Sequence, residues 1–267
     1  MKISAEEFMA AAPARLAGNT PWASQYASEL RQVVTEHANN SARSLQRHLG
    51  PSELGTECDR QVVSKLLGEP ATNHVVDPWP AIVGTAVHAW LAEAFTAWNV
   101  RHGFARWLAE HKVTPHPDHR GTADLYDGLE QAVVDHKVLG ESSMAKVRSV
   151  AGPSRRYKVQ LKLYGKGYRV LGLPVKRVAL AAYPRTAASL DGLYVWDDPS
   201  GEQDDELIDE VFRLTDHRKA LAAEVQTGHR RLVDIDIAPD DDECYFCPFY
   251  RPQSKRDGGP GCPGSRP

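Results

Sequence analysis

The chain has 267 residues, 42% of them hydrophobic, which is enough to bury a sizeable core without disulfides or an obligate partner. Thirty-two basic residues against 35 acidic ones give a formal net charge of −3, so the whole-molecule field does not draw in a polyanion and any such affinity must be local. No run of about eighteen apolar residues could span a bilayer, and the opening Met1-Lys2-Ile3-Ser4-Ala5-Glu6-Glu7 lacks a signal-peptide profile; a cytoplasmic chain with no membrane association is expected.

Residues 5–50 read as helical, punctuated by Pro13, Asn19, Pro21 and Asn39-Asn40. A further helix is expected from Cys58 to Leu67, where Val62, Val63, Leu66 and Leu67 fall at helical spacing and Gly68 supplies a stop; Cys58 then sits at its start. Pro78 and Pro80 precede a long periodic stretch, roughly Ala81 to Val100. In it Val83, Val87, Leu91 and Phe95 mark a core-facing stripe, with Gly84, His88 and Ala92 beside them.

After Gly103 the pattern changes to strand-like runs over 106–113, 122–126 and 132–138, with Asp127-Gly128 as a turn. A helix over 154–165, strands over 177–183 and 190–196 and a helix over 204–224 follow. The tail from Ala238, rich in Asp, Pro, Gly and Cys, reads as loop-like and needs something besides a hydrophobic core to hold it. The expected fold is α/β, a small mixed sheet flanked by helices, with a helical extension over 1–50, a core over 51–237 and a cysteine-containing tail over 238–267.

Val133-Val134-Asp135-His136-Lys137-Val138 places Asp135 and Lys137 two apart on a strand, so both emerge from one face while Val134, His136 and Val138 take the other. Gly121-Thr122-Ala123-Asp124-Leu125 puts a second carboxylate on the preceding strand, and a hairpin through Asp127-Gly128 brings Asp124 and Asp135 to one cleft. Converging carboxylates suit magnesium or manganese, an adjacent lysine can orient water and neutralise charge on a phosphate, and the imidazole of His88 tilts the set towards manganese. Taken singly, Asp-x-Lys is usually a solvated face, and His88 a hydrogen-bonded, half-buried histidine.

Cys244-Tyr-Phe-Cys247 has a spacing that lets both thiolates reach one metal or cluster; Cys262 follows after 14 residues, and Cys58 lies far upstream. By itself the pair suits zinc or a redox motif. No cysteine is left over.

The order carries more than the parts: a helix with Gly84-x-x-x-His88, a strand with Gly121-x-x-Asp124, a strand with Asp135-x-Lys137, then a helix with Gln160-x-x-x-Tyr164. In this order the chain resembles the RecB-like exonucleases of PD-(D/E)XK type, including the CRISPR-associated branch and its phage-encoded relatives, from about residue 52 onward. The resemblance implies a PD-(D/E)XK restriction-endonuclease-like core in which His88, Asp124, Asp135 and the backbone carbonyl of His136 hold Mn2+ or Mg2+. Asp124, Asp135 and Lys137 are then catalytic, and Gln160 and Tyr164 contact DNA, with Arg148, Arg155, Arg156, Lys158, Lys162 and Lys166 as local positive charge. It also implies a 4Fe-4S cluster on Cys58, Cys244, Cys247 and Cys262 that staples the tail, Zn2+ being the alternative.

The expected activity is exonucleolytic hydrolysis of single-stranded DNA ends with 5′ to 3′ polarity, in repair, recombination or phage DNA metabolism. A homo-oligomer is compatible with it, and a phage-encoded copy would work in the host cytoplasm. The contrasting class is a non-catalytic DNA-binding or assembly module that keeps the fold. Such a decayed copy is expected to have lost an acid or the lysine.

Overall fold

In a computed structural model of the protein, the described residues are 22–40, 48–73, 77–199, 205–237 and 241–265. The chain divides into two compact units, 1–45 and 46–267. The described part of the first is helix α1 (Trp22–Asn39), along which Trp22, Tyr26, Leu30 and Val33 are exposed. Of the helical reading of 5–50, residues 5–21 and 41–47 lie outside the described residues, and 48–50 are not helical.

The second unit opens with the short helix α2 (Pro51–Leu54) and with α3 (Asp59–Leu67). As the sequence predicts, Cys58 is the N-cap of α3, and Gly68 ends it in the left-handed region at φ 71°. Helix α4 (Trp79–His102) begins on Pro78 and Pro80 and stops at Gly103, also left-handed. It is apolar nearly all round, yet only Leu91 is fully buried, while Val83, Val87 and Phe95 of the expected stripe are half-buried.

The sheet has five strands in the order β1 (Trp107–His116), β2 (His119–Asp127), β3 (Ala132–Leu139), β4 (Arg177–Pro184) and β5 (Tyr194–Asp198). β1, β2 and β3 form an antiparallel meander; β3 and β4 are parallel over their whole length, and β5 closes the edge antiparallel to β4. The fold is therefore α/β with a mixed sheet, as expected. At the β2–β3 turn, Asp127 accepts from the amides of Leu129 and Glu130 and from the forked guanidinium of Arg106, which gives the expected Asp-Gly reversal its mechanism.

The parallel pairing of β3 and β4 requires a crossover. It is made by α5 (Glu141–Arg148), which the periodicity did not reveal, and α6 (Arg155–Val170). The reading of a strand from Leu190 is corrected: Leu190–Gly192 is a 3-10 turn set by the Ser189 hydroxyl, which accepts from the Asp191 amide, and the strand starts at Tyr194.

One face of the sheet packs on α5 and α6, where Val133, Leu139, Met144, Val147, Leu161, Tyr164 and Tyr168 share a core. Helices α7 (Asp205–Gln226), α2 and α3 form a second core on the far side of α6 through Leu54, Val62, Val159, Leu163, Ile208 and Val211. α6 is thus buried through its middle, over 159–165, 167 and 168, and Leu161 and Leu163, both fully buried, each contribute about 1.5–3 kcal/mol. Gly167 lets α6 approach the sheet: a Cβ there would stand 2.7 Å from that of Val113. The tail, expected to be loop, carries two short helices, α8 (Asp241–Phe246) and α9 (Ser254–Asp257).

Candidate metal centre

The β2–β3 ladder runs from Asp127↔Ala132 to Leu125↔Val134 and stops there. The next residues, Asp124 and Asp135, stand where the two strands part. The His136 amide, released from the ladder, donates instead to Asp124 Oδ2 at 2.7 Å. A side-chain carboxylate takes the place of the lost strand partner, so the buried amide stays satisfied and Asp124 is fixed in rotamer.

α4 crosses this fork and brings His88 Nδ1 to 3.4 Å from Asp124 Oδ1. The Asp124 carboxylate raises the His88 pKa against the opposing effect of burial. Burial pushes the pKa of Asp124 up, but the hydrogen bond and charge of His88, the charge of Lys137 and the His136 amide outweigh it, and the net shift is downward. Asp124 is therefore an anion in a buried setting.

Asp135 is 1% exposed and lies 2.6 Å from the Lys137 ammonium through Oδ2. Burial, with help from the charge of Asp124, lifts the Asp135 pKa to about 6 despite Lys137. Burial lowers the Lys137 pKa, but the two carboxylates more than reverse it, and the ammonium also lies 5.2 Å from the centre of the Tyr157 ring. Asp135 Oδ1 has no hydrogen-bond partner. A buried carboxylate oxygen in that state suits a cation.

His136 points to the α4 side, stacked on Phe95 at 5.7 Å and edge-on to His88 at 6.1 Å. Burial lowers its pKa to about 4, and neither ring nitrogen has a hydrogen-bond partner.

A residue that the sequence reading missed joins the site. Ala109↔Leu125 and His111↔Ala123 place Glu110 opposite Asp124 across β1 and β2. The donor atoms of His88, Glu110 and Asp124 all lie within 4.8 Å of one another, the only such trio of His, Cys, Asp or Glu among the described residues. No sequence motif marks Glu110, because its place depends on strand register.

Gln160 and Tyr164 share a face of α6, as their spacing requires, and Gln160 Nε2 donates to the Tyr164 hydroxyl at 3.1 Å. Both are 5% exposed. Burial raises the Tyr164 pKa, as do the nearby charges of Asp135, Asp124 and Glu110, so the pair backs the acid cluster from the core side.

The basic residues of this region have structural partners. Lys162, 3% exposed, pairs with Asp198 at 3.1 Å; Arg156 donates to the Ser52 carbonyl, Arg155 pairs with Glu210, Lys158 donates to Ala151 and Arg148 to Gly192. Lys166 lies over Phe212.

Cys58, Cys244, Cys247 and Cys262 are all unoxidised and line one pocket together with Arg60, Gln61, Ser64 and Phe249. Arg60 braces it: its guanidinium donates to the carbonyls of Ile235 and Val233, and Nη1 reaches Cys262 Sγ at 3.8 Å. The tail is laced to the segment after α3, since the amides of Thr72 and Asn73 both donate to the Pro248 carbonyl. Burial pushes the Cys247 thiol up to about 12, and the neighbouring Cys58, Cys262 and Cys244 add to it. Four thiolates can share this pocket only with a cationic centre among them.

No protein-family model matches the chain, and no curated protein matches it. Among solved structures it is similar to an alkaline exonuclease, LHK-Exo from Laribacter hongkongensis, at 14% identity and a TM-score of 0.47, over 71% of this chain and 95% of that one. It is also similar to a phage-related exonuclease from Haemophilus somnus 129PT, at 12% identity and a TM-score of 0.34, over 80% of this chain and 92% of that one. With so little shared sequence and such partial superposition, neither likeness bears on the roles of individual residues. Among the described residues, no helix is long and apolar enough to cross a membrane.

Proposed function

We propose that this chain is a divalent-metal-dependent deoxyribonuclease that degrades DNA from single-stranded ends with 5′ to 3′ polarity. The observation that carries the reading is the fork at which His88, Asp124, Asp135 and Lys137 meet, with Asp135 Oδ1 buried and unpartnered. The donor set fits a Mn2+ or Mg2+ ion: carboxylates of Asp124 and Asp135, an imidazole nitrogen of His88 and the backbone carbonyl of His136. When bound, such an ion supplies Lewis-acid stabilisation of the charge that builds on a phosphodiester under attack.

The remaining work falls to the chain. Lys137, held protonated by two carboxylates, can donate to a phosphate oxygen and fix the water that attacks phosphorus. The Asp135 contact at 2.6 Å sets where that ammonium stands. The His136 amide holds Asp124 in place through the reaction, and Gln160 with Tyr164 keeps the wall behind the acids from collapsing.

The four cysteines would hold a 4Fe-4S cluster, with zinc as the alternative. All four cysteines line one pocket, which is the arrangement that either centre needs. Cysteine ligation there supplies a cross-link between α3 and the tail.

The test is incubation of anaerobically purified protein with end-labelled single- and double-stranded DNA and Mn2+, beside Asp135→Ala. Degradation by the wild type alone, with a ladder shrinking from the 5′ end, is the expected result. Binding of DNA without cleavage of linear, flapped or circular substrates would replace the nuclease with a DNA-binding module.

A further inference from the structure

Resting on the metal-centre reading above, we infer that Glu110 is a direct ligand of the catalytic cation, placed by an inverted backbone in the middle of β1. Three observations converge on it. Register sets it directly across from Asp124. Its carboxylate lies within 4.8 Å of donor atoms on both His88 and Asp124. Its φ is 48°, in the left-handed region that a glutamate seldom occupies.

The third observation explains the other two. A strand residue of ordinary conformation would pair with Asp124 through its backbone, as Ala109 and His111 pair with Leu125 and Ala123. Glu110 is passed over in that ladder. Inverted φ at a non-glycine position persists where the surroundings over-determine it, and such positions gather at ligand clamps.

Glu110 is also exposed, whereas Asp124 and Asp135 are buried. It stands at the mouth of the site, where an ion arrives, and the two aspartates form the floor. With Glu110 included, the donor set has three carboxylates and one imidazole, which charges the site more negatively than the substrate-facing lysine can offset. A divalent cation restores that balance before a phosphate approaches.

The measurement is Mn2+ binding to metal-depleted protein by calorimetry, followed by thermal melting with and without Mn2+, for wild type, Glu110→Gln, Glu110→Gly and Asp124→Asn. The expected result is that Glu110→Gln binds Mn2+ at least about tenfold more weakly. Glu110→Gly, which accepts positive φ without strain, should melt no lower than wild type when metal-free, so that lost binding is not lost folding, yet gain less from added Mn2+. Wild-type affinity in both Glu110 variants, with binding lost in Asp124→Asn, would overturn the role of Glu110 and leave the metal centre standing. No Mn2+ binding by the wild type, or full binding by Asp124→Asn, would overturn both.

Discussion

Asp124 accepts the backbone amide of His136 at 2.7 Å at the point where β2 and β3 part. One carboxylate of β2 thus completes the hydrogen bonding of a split sheet and faces a histidine of helix α4. Asp124→Ala should therefore do two kinds of harm. It removes the proposed cation ligand and orphans a buried amide, at about 1–3 kcal/mol; Asp124→Asn keeps an acceptor and should recover most of that stability in chemical denaturation while remaining inactive.

The Lys137 ammonium pairs with Asp135 at 2.6 Å and lies 5.2 Å from the centre of the Tyr157 ring. Lys137→Met should leave the melting temperature within a few degrees of wild type and lower the cleavage rate by at least about a hundredfold. DNA affinity, read by filter binding, should stay near that of wild type. Full cleavage by this variant would remove Lys137 from the chemistry.

In the metal-free protein the Asp135 pKa sits near about 6 because the group is buried beside Asp124, and that of His88 is raised by Asp124. A cation must displace those protons. The sign follows: Mn2+ affinity is highest above about pH 7 and falls as pH drops through about 6, with proton release on binding in that window. Calorimetry in buffers of different ionisation enthalpy measures the released protons, and a pH-independent affinity between 5 and 8 would contradict the placement of Asp135 and His88 at the ion.

Tyr164 is a core residue whose hydroxyl accepts from Gln160. Tyr164→Ala is expected to cost about 3–5 kcal/mol in denaturant unfolding. Any loss of DNA affinity in that variant is then confounded with folding, so Tyr164→Phe, costing about 1 kcal/mol, is the variant in which a DNA contact would be read.

Arg218 is 0% exposed; it donates to Asp59 at 2.7 Å and to the Thr56 carbonyl, on either side of Cys58. Arg218→Ala leaves a cavity and an unpaired acid and should destabilise the protein by about 3–5 kcal/mol. The measurable signature is joint: a lower melting temperature and substoichiometric metal or cluster at the cysteines after anaerobic purification.

What the sequence made legible is local or ordinal. Alternation in 132–138 put Asp135 and Lys137 on one face, and Asp127-Gly128 marked the reversal that carries Asp124 alongside. The helix of His88 showed in its period, although its far side is apolar too, which is why one stripe did not predict that only Leu91 is fully buried. Glu110 was hidden because register and a single φ place it, and neither leaves a mark on a one-dimensional pattern. The lysines and arginines of α6 look like a solvated or DNA-facing row until their partners on α2, β5 and α7 are seen; polar residues in a core helix cannot be told from surface ones without their partners. Spacing joined only Cys244 and Cys247; the resemblance added Cys58 and Cys262, and all four line one pocket.

The lacing of Thr72 and Asn73 to the tail, with Cys58 beside Cys244, Cys247 and Cys262, has a consequence for timing. Cys58 leaves the ribosome some two hundred residues before the last of its partners emerges. A chain that lacks the tail has no Pro248 carbonyl to hold the amides of Thr72 and Asn73, the segment that follows α3. Emergence of the tail is thereby the step that braces the segment after α3.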